Sequence, residues 1–387
     1  MDKMKETKNM IGEIFLEIGE AMDSGQFGSK SRIGITTLGS EHGIENIIKG
    51  AEKAQKDNTD IKVVLIGPKI ETSLEIAEAN SENDMYSKME ELLEKGEIDA
   101  CVTMHYNFPI GVATVGKVIT PGKGREMFLA TTTGTSATER VEAMVKNAIY
   151  GIACAKAQGI DAPTVCILNV DAARSVERSL QKLSANGYPI SFAQSVRQDG
   201  GSVMRGNDLL VGAPEVMVTD TLTGNVLMKV FSAYTTGGDY ETLGYGYGPG
   251  VGEGYDKIVH ILSRASGAPV VSGAIRYAAD MAKGRLLSVV DAEFKAAHAA
   301  GLADLFKKEA LPAAAEEEDV VCPPAKVATE EIAGIDILDL ETAAKAVWKA
   351  GIFASTGMGC TGPVILVATD DLAKAQEVLI KAGYISA

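Results

Sequence analysis

Two apolar periodicities alternate along this chain. Short apolar runs occur at Arg32-Ile-Gly-Ile-Thr-Thr37, Ile61-Lys-Val-Val-Leu-Ile66, Ile98-Asp-Ala-Cys-Val-Thr103, Thr164–Val170, Val216–Thr219 and Val364–Ala368. Their length and β-branched content predict buried strands. Between them, apolar residues recur at helical spacing over residues 44–55, from Ala173, beyond Gly224 and after Pro269. An N-terminal stretch, residues 9–24, gathers Ile11, Ile14, Phe15, Ile18 and Met22 on one helical face. Strands alternating with helices predict an α/β fold, a mostly parallel sheet covered on both faces. In such folds the working loops follow the strands' C-terminal ends. That directs attention to Leu38–Gly43, Thr103–Asn107 and the segment after Asp220.

The pattern also divides the chain. Residues 1–28 are read as an N-terminal helix and residues 29–310 as the main α/β domain. Residues 311–328, Leu-Pro-Ala-Ala-Ala-Glu-Glu-Glu-Asp and on through Cys-Pro-Pro-Ala-Lys, have the composition of an exposed linker. Residues 329–387 follow as a helix, thiol loop, strand and helix that complete the same domain. Gly244-Tyr-Gly-Tyr-Gly-Pro-Gly-Val-Gly-Glu-Gly254 reads as a glycine-rich loop, either a surface excursion or a lid or interface arm.

Composition narrows the chemistry. The 387 residues carry a net charge of −15 and no basic cluster, which argues against nucleic acid and anionic membrane as partners. A local helix N-terminus or guanidinium could still receive phosphate. The five cysteines (Cys101, Cys154, Cys166, Cys322, Cys360) form no C-x-x-C pair. The spacing therefore predicts neither a disulfide framework nor a metal site, and fits a reducing cytoplasm. The charged start Met-Asp-Lys-Met-Lys-Glu-Thr-Lys does not read as a signal peptide.

Several motifs carry candidate chemistry. Gly111-Val-Ala-Thr-Val-Gly-Lys117 approaches a P-loop, but Val118 stands where a Mg²⁺-binding hydroxyl belongs, so it is read as a decoy. His42, one of four histidines, follows the first strand and suits proton transfer near neutrality, or equally a turn beside a helix start. His105 has a similar case, whereas His298, on an Ala-rich helix, reads as solvated. In Asp220-Thr-Leu-Thr-Gly-Asn-Val-Leu-Met-Lys229 the turn Thr223-Gly224-Asn225 precedes a helix whose exposed N–H groups could bind an anion, with Asp220 as its cap. Ser263-Arg264-Ala-Ser266-Gly267 offers hydroxyls and a guanidinium. Met144, Met217 and Met228 read as core. Ser355-Thr-Gly-Met-Gly-Cys-Thr-Gly-Pro363 sets Cys360 among glycines, either as a nucleophile in a donor-rich loop or as a small buried residue at a tight turn.

These motifs together resemble a known family. Leu38–Gly43, Glu94-Lys-Gly-Glu-Ile-Asp-Ala100 and Asp220–Lys229 are similar to blocks of the phosphate acyltransferases of phospholipid synthesis. Glu41 replaces that family's Asp, and Thr103-Met-His-Tyr stands where Ser-Ala-Gly-Asn is usual. The Gly-Tyr-Gly-Tyr-Gly-Pro-Gly and Gly-Met-Gly-Cys-Thr-Gly-Pro segments resemble instead the component C alpha-subunit family of glycine/sarcosine/betaine reductase complexes. The resemblance implies an isopropylmalate-dehydrogenase-like three-layer sandwich in two lobes. It implies acetyl phosphate formation by phosphorolysis of an acetyl thioester on Cys360, with inorganic phosphate as co-substrate and no cofactor. Read from the residues themselves, backbone groups of Gly359, Thr361 and Gly362 can serve as the oxyanion donors. Phosphate would fall to Thr223, Gly224, Asn225 and Arg264, and proton transfer to His42. The implied partners are a larger thiolase-like beta subunit and a selenoprotein A presenting a carboxymethyl group, in an oligomeric complex. Two other functions fit the same residues: a phosphate acyltransferase or phosphotransacetylase acting on acyl-CoA or acyl carrier protein, and a non-catalytic subunit supporting a thiolase-like partner.

Overall fold

The computed structural model describes residues 30–197, 201–306, 320–326, 328, 330–335, 339–359 and 362–385, with positions 12, 15, 18, 19 and 22 of the N-terminal segment. The predicted N-terminal helix and the linker core at residues 311–319 lie largely outside the described residues, as do Cys360 and Thr361.

The strands in chain order are β1 (Ser31–Thr36), β2 (Ile61–Gly67), β3 (Glu75–Glu78), β4 (Ala100–Thr103), β5 (Val112–Ile119), β6 (Glu126–Thr135), β7 (Thr164–Leu168), β8 (Ser191–Phe192), β9 (Val203–Met204), β10 (Val216–Val218), β11 (Gly248–Gly252), β12 (Val259–Ile261), β13 (Glu330–Ala333), β14 (Ala354–Gly359) and β15 (Gly362–Val367). The helices used below are α1 (Ile44–Asp57), α2 (Glu82–Glu94), α3 (Arg140–Ala157), α4 (Ala173–Ala185), α5 (Gly206–Val211), α6 (Thr221–Ala233), α7 (Ala268–Lys283) and α8 (Leu286–Ala299). Two more, α9 (Leu340–Lys349) and α10 (Leu372–Lys381), flank the C-terminal strands.

One large sheet runs β3-β2-β1-β4-β12-β11-β5-β6-β10-β7-β8, with β9 on β7. The predicted α/β class is correct, because helices cover the apolar strands of the large sheet. Ile33 and Ile35 of β1 join one cluster with Ile47 and Ala51 of α1. Val64, Ile66 and Cys101 join another with Met85 and Met89 of α2. The parallel order is interrupted at one place: β11 is antiparallel to both β12 and β5, and β5 is antiparallel to β6. The parallel block β3-β2-β1-β4-β12 therefore runs opposite to the block β6-β10-β7.

Two sequence expectations change here. The glycine-rich segment is neither surface excursion nor lid; Gly248–Gly252 is the fully buried strand β11 in the middle of the sheet. The missing side chains are what allow this close fit. A Cβ on Gly250 would fall on the Phe108 ring, and Gly248, at φ 92, lies against the Val115 carbonyl. The decoy P-loop segment is β5, a strand with no phosphate-cradling turn.

Neighbouring β12 carries the buried His260. Its Nε2 donates to the Tyr245 carbonyl at 2.7 Å, its Nδ1 has no partner, and burial holds its pKa down to about 4. Above about pH 6.5 the residue is neutral in folded and unfolded chains alike. Between pH 6.5 and about 4 the unfolded chain takes up a proton that the folded chain refuses, so stability falls as pH falls. The full effect is about 3 kcal/mol. Urea midpoints measured from pH 7 to 4 should therefore drop less steeply in His260→Gln, whose amide retains the donor to Tyr245. An equally steep drop in that variant would remove His260 as the cause.

The C-terminal residues add no strand to the large sheet. They form a separate antiparallel sheet, β13-β15-β14, over its own core of Ile332, Ala344, Val347, Ile365 and Leu379. The stretch read as a thiol loop is thus mostly strand: Thr356 pairs with Ile365, and Gly359 with Gly362. The run Val364–Ala368 and the following helix appear as β15 and α10. Arg178 of α4 meets this unit, donating to the Tyr384 carbonyl at 3.0 Å and pairing with Asp339 at 3.2 Å.

Candidate anion-binding cleft

A cleft of about 370 Å³ lies where the C-terminal ends of β4 and β12 meet the side of α6. The loop after β4 contributes Met104, His105, Tyr106 and Phe108, and the end of β12 contributes Ile261 through Arg264. Helix α6 contributes Asn225 and Lys229, β6 contributes Thr133, and Glu41 comes from the loop after β1. One wall is aromatic, with Tyr106 and Phe108 edge-to-face at 5.0 Å and the buried Tyr247 beside them. The other wall carries the ammonium of Lys229 and the exposed guanidinium of Arg264.

Helix α6 begins one residue after Asp220, earlier than the turn read from sequence. Asp220 caps it as expected: its carboxylate accepts from Thr223 N at 3.0 Å and from Thr223 Oγ1 at 2.6 Å. The same carboxylate pairs with Arg140 at 3.1 Å. Thr223–Asn225 is accordingly the first helical turn, and Thr223 has both donors engaged. Gly224 is a packing position, since a Cβ there would fall on the Thr131 carbonyl oxygen of β6. Asn225 Nδ2 donates to the Thr132 carbonyl at 3.1 Å. The helix follows β10 and runs back along the second block of strands, so residues of its second and third turns reach the cleft. Of the four residues nominated for phosphate, the structure brings Asn225 and Arg264 into one cleft and turns Thr223 and Gly224 to capping and packing.

Lys229 was missed in the sequence. Its Nζ lies 2.6 Å from Glu241 Oε1 and 2.6 Å from Ser263 Oγ. The available signal was its i, i+4 spacing from Asn225, which puts both on one helical face. Ser263, part of the motif noted around Arg264, is 7 % exposed, and its hydroxyl accepts from Ala265 N at 3.2 Å.

His42 sits beside this cleft. The β1 loop docks on the Arg264 loop, with Glu41 N donating to the Arg264 carbonyl at 2.9 Å. His42 Nε2 donates to the Ala265 carbonyl at 3.1 Å, and the ring meets Tyr240 edge-on at 4.8 Å. In the neutral ring that bond leaves Nδ1 as the acceptor nitrogen. Among the other histidines, His105 lines the cleft and His298 pairs with Glu253 at 2.8 Å.

The thiols separate by burial. Cys101, Cys154 and Cys166 are fully buried; burial pushes the Cys101 thiol well above its ordinary range and Cys154 and Cys166 up to about 12. None of these three is a thiolate near neutrality. Cys322 is exposed. Gly359 and Gly362 form the last described pair of the β14–β15 hairpin, and Cys360 and Thr361 stand between them in sequence. Among the described residues no cluster of His, Cys, Asp and Glu could hold a metal ion, and no helix is long and apolar enough to cross a membrane.

Fold and cleft together define an α/β protein with a polar pocket at its strand ends, lined by Lys229, Arg264 and Glu41 among others. Residues 31–366 match the model of the fatty acid synthesis protein family, and the chain belongs to that family. It also belongs with the component C alpha subunits. The glycine/sarcosine/betaine reductase complex component C subunit alpha of Peptoclostridium acidaminophilum is 59% identical over 386 residues, which cover 99% of this chain and 100% of that protein. The phosphate acyltransferase of Thermus thermophilus is 25% identical over 236 residues, 51% of this chain and 70% of that one. Among solved structures, a branched-chain phosphotransacylase from Enterococcus faecalis aligns with a TM-score of 0.44 at 16% identity, covering 64% of this chain and 99% of that one.

Proposed function

We propose that this chain is the acyl-transfer subunit of a glycine/sarcosine/betaine reductase complex and releases acetyl phosphate from an acetyl thioester on Cys360. The observation that carries the reading is the pairing of Lys229 and Arg264 in one strand-end cleft on a chain of net charge −15. Two cations against one carboxylate, Glu41, among the lining residues favour a small anion, and phosphate is the one this family relationship supports.

In the proposed reaction a phosphate oxygen attacks the thioester carbonyl carbon. The electron pair of the C=O π bond moves onto oxygen to form a tetrahedral oxyanion. Backbone N–H groups around Gly359, Thr361 and Gly362 would receive that charge. Collapse breaks the C–S bond, expels the Cys360 thiolate and leaves acetyl phosphate. His42 Nδ1 would accept the phosphate proton and return it to the thiolate. Lys229, Arg264, Ser263 and Asn225 would hold the phosphoryl oxygens. Phosphate is the co-substrate, and no cofactor enters the scheme. The acetyl group would reach Cys360 through a larger thiolase-like beta subunit of the complex.

Burial of Cys101, Cys154 and Cys166 leaves two thiols for this chemistry, Cys322 and Cys360, and only Cys360 is flanked by glycines. Intact-mass measurement after treatment with acetyl phosphate tests the assignment. One acetyl adduct is expected, on the peptide containing Cys360, and inorganic phosphate should remove it. An adduct confined to Cys322, or none in the assembled complex, would refute it.

A further inference from the structure

Behind the cleft lies a carboxylate with no part in the reaction above. Glu241 is 4 % exposed, and a carboxylate is costly to bury unless charge and hydrogen bonds compensate it. Its oxygens divide between two structural elements. Oε1 accepts from Lys229 Nζ of α6 at 2.6 Å, and Oε2 accepts from Ser266 Oγ at 3.0 Å. Its backbone is tied to the same loop: Glu241 N donates to the Ala265 carbonyl, and Gly267 N donates to the Glu241 carbonyl. Lys229 Nζ spends a second bond on Ser263 Oγ at 2.6 Å. An ammonium has three N–H groups. Two are committed, and the third is left for the cleft that Lys229 lines.

We propose that Glu241 is a positioning residue for oxyanion recognition, setting Lys229 and Ser263 as a pre-ordered donor pair for inorganic phosphate. The inference rests on the reading of the cleft as a phosphate site. A lysine on its four-carbon stem otherwise samples many rotamers, and ordering it on binding costs affinity. Glu241 removes that cost in advance. Through Ser266 and its own backbone it is also tied to the loop that bears Arg264, while its carboxylate acts on the cleft through Lys229 alone. Glu241 itself is not among the residues lining the cleft, and it meets the cleft only through the lysine it orients.

Titration calorimetry of the full chain with inorganic phosphate tests the proposal, using Glu241→Gln, Glu241→Asp, Lys229→Met and the Glu241→Gln/Lys229→Met double variant. The amide is isosteric, retains the Ser266 bond and leaves a half-exposed lysine in contact with water. Glu241→Gln is expected to weaken phosphate binding about tenfold, the scale of one charge-assisted contact. Glu241→Asp, which keeps the charge but shortens the arm, should fall between Glu241→Gln and wild type. The double variant should bind no more weakly than Lys229→Met alone, because Glu241 acts through that lysine. Wild-type affinity in either Glu241 variant, or losses that simply add in the double variant, would overturn the proposal. Should Glu241→Gln fail to fold, Glu241→Asp decides alone. A wild-type chain that binds no phosphate would instead bring down the reading of the cleft, and this inference with it.

Discussion

Replacing Cys360 with Ser is expected to reduce arsenate-dependent breakdown of acetyl phosphate by about a thousandfold or more, the scale of losing a covalent nucleophile. Arsenate replaces phosphate in attacking the acetyl thioester, and the acetyl arsenate formed hydrolyses at once, so the assay reads formation and cleavage of the acyl-enzyme. A serine hydroxyl is a weaker nucleophile than a thiolate near neutrality and a far poorer leaving group. The substitution should therefore impair both half-reactions while changing the fold little. Cys322→Ser is the matched control: that thiol is exposed and should be dispensable. The assay belongs on the assembled complex, so that a missing partner does not mimic a missing nucleophile. Undiminished turnover in Cys360→Ser would rule out the thioester route.

The second large effect concerns the cleft. Arg264→Ala is expected to raise the KM for phosphate by about ten- to a hundredfold, the range for losing hydrogen bonds from a charged donor. Turnover at saturating phosphate should change less, because the guanidinium is proposed to hold phosphate and not the acetyl carbonyl. Arg264→Lys should recover part of the loss, since it restores the charge but not the planar fork. A kcat that collapses with KM unmoved would assign Arg264 to the reacting carbonyl. A variant with wild-type kinetics would take it out of the site. The two experiments are independent: one probes the acyl carrier and the other its acceptor.

The parts of this architecture that follow from local periodicity were legible in the sequence. The strands at Ser31–Thr36, Ile61–Gly67 and Thr164–Leu168 and the helices at Ile44–Asp57 and Ala268–Lys283 match their apolar patterns, because burying one strand face or one helical stripe is a local requirement. Asp220 was readable as a helix cap for a similar reason, since its carboxylate satisfies an amide three residues away. The central strand β11 was not legible. Its glycines carry no hydrophobic pattern, and the strand fits because β5 and the Phe108 ring come too close for a Cβ at Gly248, Gly250 and Gly252. The β14 hairpin strand was hidden likewise among glycines.

The site divides along the same line. Sequence alone determined which residues could do acyl and phosphate chemistry: a glycine-flanked Cys360, a loop histidine at position 42, an arginine at 264 and an asparagine at 225. These depend on side-chain type and near neighbours, which a linear chain displays. Tertiary structure decided which of them share a cleft. It sent Thr223 to its cap, committed Gly224 to packing, and drew Lys229 in from the third turn of α6. It also placed the buried Glu241 behind that lysine. A reversal of strand direction across β11 and β5 sets the course of α6 over the sheet, and such a reversal arises from pairing between distant segments that no local pattern encodes.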